Sequence, residues 1–527
     1  MKKFTQALLL YLLPLLAISQ TTKIDYTLGK TYKSVFSMEN KYFYRNGEVL
    51  GIKVDNMDVN LMKFDTKTLV KKSGKLYRDF PEDWVVEHIG ELNNRYFIFY
   101  AHWDKAQKKE QLLYREIDFE TGQFTGKGKL LLEVDGKVKG IYTGIPGRAG
   151  VVMANKYDFQ TSYDSSRFLV KYCKSPSKSN SAKNYEVIGM HVFDENLNEV
   201  WFRDETMPYP EKSTEYLDCA VDSDGSVTLL TYVFNDNSNK AKMVKGSPNY
   251  RLELLHSEPN NLTFRKIPIR FNDKLIGDIK LFKASNDELV IAGYYNYGND
   301  IEKANGLFVV SQKKGEYTAD VHFYDFSLEI ANKNRDKKTR KDNDQPGSKP
   351  SLNDLVLREI LEDSDGSLVL VGEESRTKQG PKTIIDYSED ILVIKIKPND
   401  ELAWMQKLVK RQWGSFGYEG SLSYNQLEYE GNRYFLFLDH IDNLTLSDTD
   451  EPEKHHDGYG GYLTCYQVND VTGEVSKFSV VDVRELKGAA IAPFINKYSV
   501  RTHENEIVYE FNLPNKQSKL LRLDVKQ

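Results

Sequence analysis

Short apolar runs broken by polar turns recur along almost the whole of this chain, and over long windows none carries a helical period. The pattern is clearest over residues 363–404, "DSDGSLVLVGEESRTKQGPKTIIDYSEDILVIKIKPNDELAW". An Asp-Gly turn leads into an apolar strand at 367–372. A polar loop, a second apolar strand at 391–396, a Pro-Asn-Asp turn and a segment ending in Trp404 follow. Turn, strand, loop, strand, turn and aromatic closure is the grammar of one β-propeller blade.

The unit repeats most legibly at the turn after each third strand. The anchors are Asp65, Asp118, Asp194, Ser257, Gln312, Pro398, Asn469 and Asp524, with "FDENLNEVW" and "KPNDELAW" the best internal match. Each anchor has an apolar partner strand ahead of it, at 43–52, 96–100, 150–154, 227–233, 289–294, 368–372, 434–438 and 507–511. The expected fold is therefore all-β, a single β-propeller with eight blades favoured and seven as the alternative. The last unit ends after its third strand, so residues 23–28 ("KIDYTL") are expected to close the ring as the missing outer strand. Helical patterning is confined to about 326–340. It overlaps a basic insertion at about 331–350, read either as an anionic-partner site or as a solvated loop of mixed charge.

A propeller absorbs 527 residues as one domain, and 33 Tyr and 26 Phe suit half-buried strands. The formal net charge of -5 gives no basic field for nucleic acid. Lys2 and Lys3 ahead of an apolar stretch at 8–18, with small residues at 17 and 19, predict a signal peptide over 1–19 and a mature domain over 20–527. The protein is thus expected to be exported, to the periplasm first and to the extracellular space as the alternative, with no transmembrane segment after cleavage. Three cysteines cannot all pair, and Cys219 and Cys465 sit in apolar runs as buried thiols.

Gly372-Glu373, the apolar strand at 391–396, and Trp404 followed by Lys410-Arg411-Gln412 form a pattern that resembles secreted β-propeller-like proteins of Bacteroidota with no assigned activity. The resemblance covers 357–444. It implies the propeller fold and an envelope location, and it brings no catalytic residues with it.

Enzyme signatures are missing. His503-Glu504-Asn505-Glu506 lacks the second histidine of a zinc helix, and no GxSxG elbow occurs. Ser223-Asp224-Gly225-Ser226 matches part of an aspartate box without its closing aromatic. The densest polar constellation, 439–459, holds Asp439, Asp442, His455, His456 and Asp457. It reads as a calcium or transition-metal site or as a solvated acidic loop. No other cofactor is expected. In a propeller every loop between second and third strands emerges on one face, and these loops are long in the third to seventh units. The aromatics expected there are Trp103, Tyr157, Tyr163, Tyr295, Tyr297, Tyr387 and Tyr459, ring types that stack on sugars or anchor protein contacts. The leading expectation is a non-enzymatic propeller that binds an envelope protein or glycan through this face. The alternatives are an enzyme acting on polysaccharide or peptide, and a metal-stabilised structural module.

Overall fold

The computed structural model describes residues 23–526 except 36, 38, 56, 144–151, 175–183, 237–242, 245–246, 262, 272–273, 287, 317–319, 380–383, 416–421, 457–460, 487–498 and 514. The signal-peptide region at 1–19 lies outside the described residues.

The chain forms eight antiparallel blades. Blade 1 is Glu39–Arg45, Glu48–Asp55, Asp58–Asp65 and Val70–Tyr77. Blade 2 is Val85–Leu92, Arg95–Asp104, Lys109–Asp118 and Lys129–Asp135. Blade 3 is Tyr157–Thr161, Arg167–Cys173, Tyr185–Asp194 and Glu199–Pro210. Blade 4 is Thr214–Val221, Val227–Phe234, Tyr250–Ser257 and Arg265–Ile269. Blade 5 is Leu275–Lys283, Leu289–Asn296, Gly306–Gln312 and Asp320–Asp325. Blade 6 is Leu355–Glu362, Leu368–Gln379, Ile384–Ile396 and Leu402–Leu408. Blade 7 is Asn425–Tyr429, Asn432–Asp439, Tyr462–Asn469 and Val475–Asp482. Blade 8 is Ser499–His503, Glu506–Leu513, Gln517–Val525 and, from the start of the chain, Ile24–Leu28.

The ring closes as expected. Ile24–Leu28 pairs antiparallel with the third strand of blade 8, Ile24 opposite Val525 and Leu28 opposite Leu521. The eight anchors all fall at or beside the ends of third strands. One partner strand was misplaced: the second strand of blade 3 is Arg167–Cys173, whereas 152–154 pairs only with Ile141–Thr143. The stretch 43–52 crosses a hairpin, its turn made by Asn46 and Gly47, both at positive φ.

The core is divided into eight wedges, one between each pair of neighbouring blades. Second strands are covered on both faces, so Val227–Phe234 and Leu289–Asn296 are buried at every position and read as mostly apolar runs, broken by Thr228, Thr231 and Asn296. Outer strands are polar or alternating, as in Glu199–Pro210. Tryptophans on outer strands tie one blade to the next. The Trp201 indole N–H donates to Gly225 O at 2.9 Å, and Trp404 donates to Asp470 O at 3.1 Å. An aromatic from blade 3 therefore covers the Ser223–Ser226 turn of blade 4. Among the described residues no helix is long and apolar enough to cross a membrane.

Candidate functional site

First strands stand next to one another around the axis, in blades 3 to 4, 4 to 5, 5 to 6 and 8 to 1. Four of them carry a bulge with a carboxylate at or beside it: Glu87, Asp218, Asp278 and Glu359. Each carboxylate reaches into the next blade. Glu87 accepts from Lys156 N at 2.8 Å, Asp218 from Leu281 N at 2.9 Å and Asp278 from Leu357 N at 2.6 Å; Glu359 accepts from Gln426 Nε2 at 2.5 Å. Burial raises the pKa of all four, that of Glu87 to about 7. The Lys280 ammonium opposes the rise at Asp218, Asp278 and Glu359. A carboxyl raised by burial is a feature that general acids share, yet each of these groups is also a strut between blades. Sequence reasoning missed them, although Glu87, Asp218 and Glu359 stand at one fixed offset ahead of Tyr96, Val227 and Leu368.

Second-to-third loops and blade linkers share one face. There the bases of blades 6 and 7 hold a buried ionic network. Lys410 Nζ lies 2.8 Å from Glu373 Oε1, both side chains fully buried, and Arg358 Nη2 lies 2.7 Å from Glu373 Oε2. Ser423 Oγ donates to the same carboxylate at 2.9 Å. Burial pushes Glu373 up, but Lys410 and Arg358 hold it below the usual carboxylate range. Beside it Asp390 lies 3.4 Å from Lys407.

The basic insertion belongs to this network. It forms two short helices, Leu328–Asn332 and Lys337–Asn343, capped by Ser327 and Asp336. Arg335 between them pairs with Glu374 and lies 3.7 Å from Asp390. Asn334 donates through Nδ2 to Ser447 O at 2.6 Å and Asp450 O at 2.8 Å, and Arg340 donates to Thr449 O at 2.9 Å. The insertion thus crosses blade 6 and grips the acidic loop of blade 7. The solvated, mixed-charge reading holds for the outer part of the insertion, where Lys337, Lys338 and Lys341 are exposed, while Asn334 and Arg335 add a clasp that reading did not include.

The acidic loop is similarly engaged with its own protein. Asp439 is buried, pairs with Lys477 at 2.8 Å and accepts from Asn443 Nδ2 at 2.7 Å. Asp442 is exposed beside His440, and His455 is buried with its ring against Gly461. Asp457 and the His456 side chain lie outside the described residues. Among the described residues the grouping of three carboxylates close enough to share an ion is Asp363, Glu428 and Asp470. Arg433 and Lys395 already neutralise that grouping, at 2.8 Å and 3.0 Å from Asp470.

The seven expected aromatics separate. Tyr157 lies in the first strand of blade 3 and is 4% exposed; Tyr295 is fully buried with its hydroxyl on Asp325. Both rings pack blades and are not loop residues. Tyr163 is exposed in the turn between first and second strands, on the opposite face, and Tyr459 lies outside the described residues. Trp103, Tyr297 and Tyr387 do stand at the long-loop face, and every one has a cation over its ring. Lys137 is 5.4 Å from Trp103, Lys349 is 4.7 Å from Tyr297, and Arg376 is 4.6 Å from Tyr387. Lys274 and Lys378 add second cations over Tyr297 and Tyr387.

On the opposite face a cavity of about 410 Å³ lies between blades 4 and 5. Its charges are paired across the blades, Asp222 with Lys283 at 2.7 Å and Asp224 with Lys314 at 2.8 Å.

No protein-family profile and no curated protein matches this chain. Similar solved structures include a prolyl endopeptidase (11% identity, TM-score 0.38), for which 92% of this chain aligns with 55% of that chain. The polysaccharide lyase Uly1 aligns at 10% identity over 84% of this chain and 90% of its own, with TM-score 0.35. The β-propeller domain of the Trilobed protease from Pyrococcus furiosus aligns at 9% identity over 72% and 96%, with TM-score 0.29. This chain spans just over half the length of the prolyl endopeptidase. Similarity this distant leaves function to be argued from the residues themselves.

Proposed function

We propose that this protein is an exported, non-enzymatic propeller whose long-loop face binds an anionic envelope partner, a protein or an acidic glycan. The observation that carries the reading is the set of three aromatic rings at that face, Trp103, Tyr297 and Tyr387, each covered by lysine or arginine. A cation held over a ring offers charge and flat apolar area together, which suits a carboxylated sugar or an acidic side chain lying against an apolar surface. Lys137, Lys349 and Lys378 are exposed, so their charge is available to a partner. Export rests on Lys2, Lys3 and the apolar stretch at 8–18.

Catalysis on polysaccharide or peptide is the second reading, favoured by the raised axial carboxylates. Binding ranks above it because those carboxylates are already committed to neighbouring blades.

The test is calorimetric titration of the mature protein with polyglutamate and polygalacturonate at low and high salt. Binding that weakens with salt, and is lost in the triple variant Lys137→Glu, Lys349→Glu, Lys378→Glu, supports the proposal. Absence of binding to either polymer at low salt, or equal binding by the variant, would sink it.

A further inference from the structure

The cavity of about 410 Å³ between blades 4 and 5 opens on the face opposite the long loops, so it stands apart from the binding reading above. Its size lies within the range of small-molecule sites, about 300–1,000 Å³. It is not the ordinary gap between two blades, because the chain builds the same corner twice and fills it only once.

The turn Asp-Ser-Asp-Gly-Ser occurs at 222–226 in blade 4 and at 363–367 in blade 6. Two cations fill the later corner, between blades 6 and 7. Lys395 lies 2.7 Å from Asp363 and 3.0 Å from Asp470, and Arg433 lies 2.8 Å from Asp470. Lys395 stands opposite Val369, the second residue of its strand; opposite Thr228, the second residue of the matching strand in blade 4, stands His256. Arg433 comes two residues before Phe435 of the wedge between blades 6 and 7. The residue two before Ile291, in the wedge between blades 4 and 5, is Leu289. A lysine and an arginine are thus exchanged for an imidazole and a short aliphatic side chain, and the earlier corner stays open.

The lining of that opening is polar and electrically balanced. Asp222, Asp224 and Glu258 stand against Arg265, Lys283 and Lys314. Lys283 is 2.7 Å from Asp222 and Lys314 is 2.8 Å from Asp224, so an ion of either sign would enter against charges already matched. His256 Nδ1 is 3.0 Å from Thr228 Oγ1, while Nε2 stands 3.8 Å from Glu258 Oε1, beyond hydrogen-bonding reach. Burial, with Arg265 adding to it, holds the imidazole below its ordinary range, so it is neutral at pH 7. A neutral imidazole beside a rotatable hydroxyl presents Nε2 as donor or acceptor, according to where the Thr228 proton turns. Sugar hydroxyls need that versatility, since each both donates and accepts. Pro259 and Leu289 add apolar surface for the C–H face of a ring. We propose that this cavity binds a neutral saccharide, its hydroxyls directed by His256 and by the two ion pairs.

Ligand-observed NMR and calorimetry of the mature protein with glucose, galactose, mannose, N-acetylglucosamine, maltose and cellobiose test this. Phosphate and glutamine serve as ionic and zwitterionic controls. At least one sugar is expected to bind, and neither control. Leu289→Arg returns to this corner the side chain that fills the other, and should abolish binding. His256→Gln keeps a polar group without the ring and should weaken binding several-fold with little change in melting midpoint, which preserves the test if the arginine variant does not fold. No sugar binding, binding of phosphate or glutamine in place of sugar, or sugar binding indifferent to both substitutions overturns the assignment. Polyglutamate binding at the long-loop face should be unaffected by either substitution, so the two sites stand or fall separately.

Discussion

Lys410→Met is the sharpest test of how the base of blade 6 is held. The substitution keeps most of the side-chain volume and removes the charge. It leaves Glu373, fully buried, with Arg358 at 2.7 Å and Ser423 at 2.9 Å but without its 2.8 Å ammonium partner. Removing one member of a buried pair costs about 3–5 kcal/mol, and the surviving Arg358 places the expectation near about 3. The effect carries a pH signature. In the parent, Glu373 has a depressed folded-state pKa, so it contributes stability above the unfolded value and loses it as pH falls through the folded one. In the variant burial prevails, the folded pKa rises above the unfolded one, and the sign reverses. The difference between the proteins should thus be larger at about pH 8 than at about pH 5. Urea unfolding followed by tryptophan fluorescence at both pH values measures it. A loss below about 1 kcal/mol at the higher pH, or one that does not change with pH, would refute the reasoning.

Three further outcomes are expected. Asn334→Ala removes donors to Ser447 O and Asp450 O, and should cost about 1–3 kcal/mol locally, seen as faster amide exchange over 442–453 with little change in the global midpoint. Asp439→Asn leaves Lys477 without its buried partner and should lower stability by about 3–5 kcal/mol, while EDTA leaves the parent's melting midpoint unchanged; a drop in EDTA would instead mark the acidic loop as a metal site. Replacing Ile24, 1% exposed, by Lys buries a charge between blades 7 and 8 and should free the closing strand to early proteolytic cleavage; an uncut, fully stable variant would count against the closure.

The fold was legible because a propeller writes itself along the sequence. Second strands are buried on both faces and third strands end in short polar turns, so runs such as 227–233 and anchors such as Asp194 need no knowledge of distant contacts. Blade 3 defeated the reading where "RFLVKYC" carries Arg167 and Lys171 within an otherwise apolar strand, while the more uniformly apolar 150–154 competed with it. The site was much less legible. Whether an aromatic packs or presents depends on which blade end it occupies, so Tyr295 and Tyr297, two residues apart, have opposite fates. The axial carboxylates and the Arg335 clasp join residues from different blades, and local pattern is silent about such partners.

The strand that closes blade 8 comes from the opposite end of the chain from the three it joins. Ile24–Leu28 precedes every blade in sequence yet has no edge to pair with until Gln517–Val525 exists. Seven blades can assemble from neighbours in sequence, but the ring is completed only by a contact spanning nearly the whole polypeptide, the slowest kind to form. Until then the unpaired edge of blade 8 is open to any other strand, its own counterpart in a second copy included. Strand exchange between two copies is the expected competitor of closure, and size-exclusion chromatography after refolding at rising protein concentration measures it.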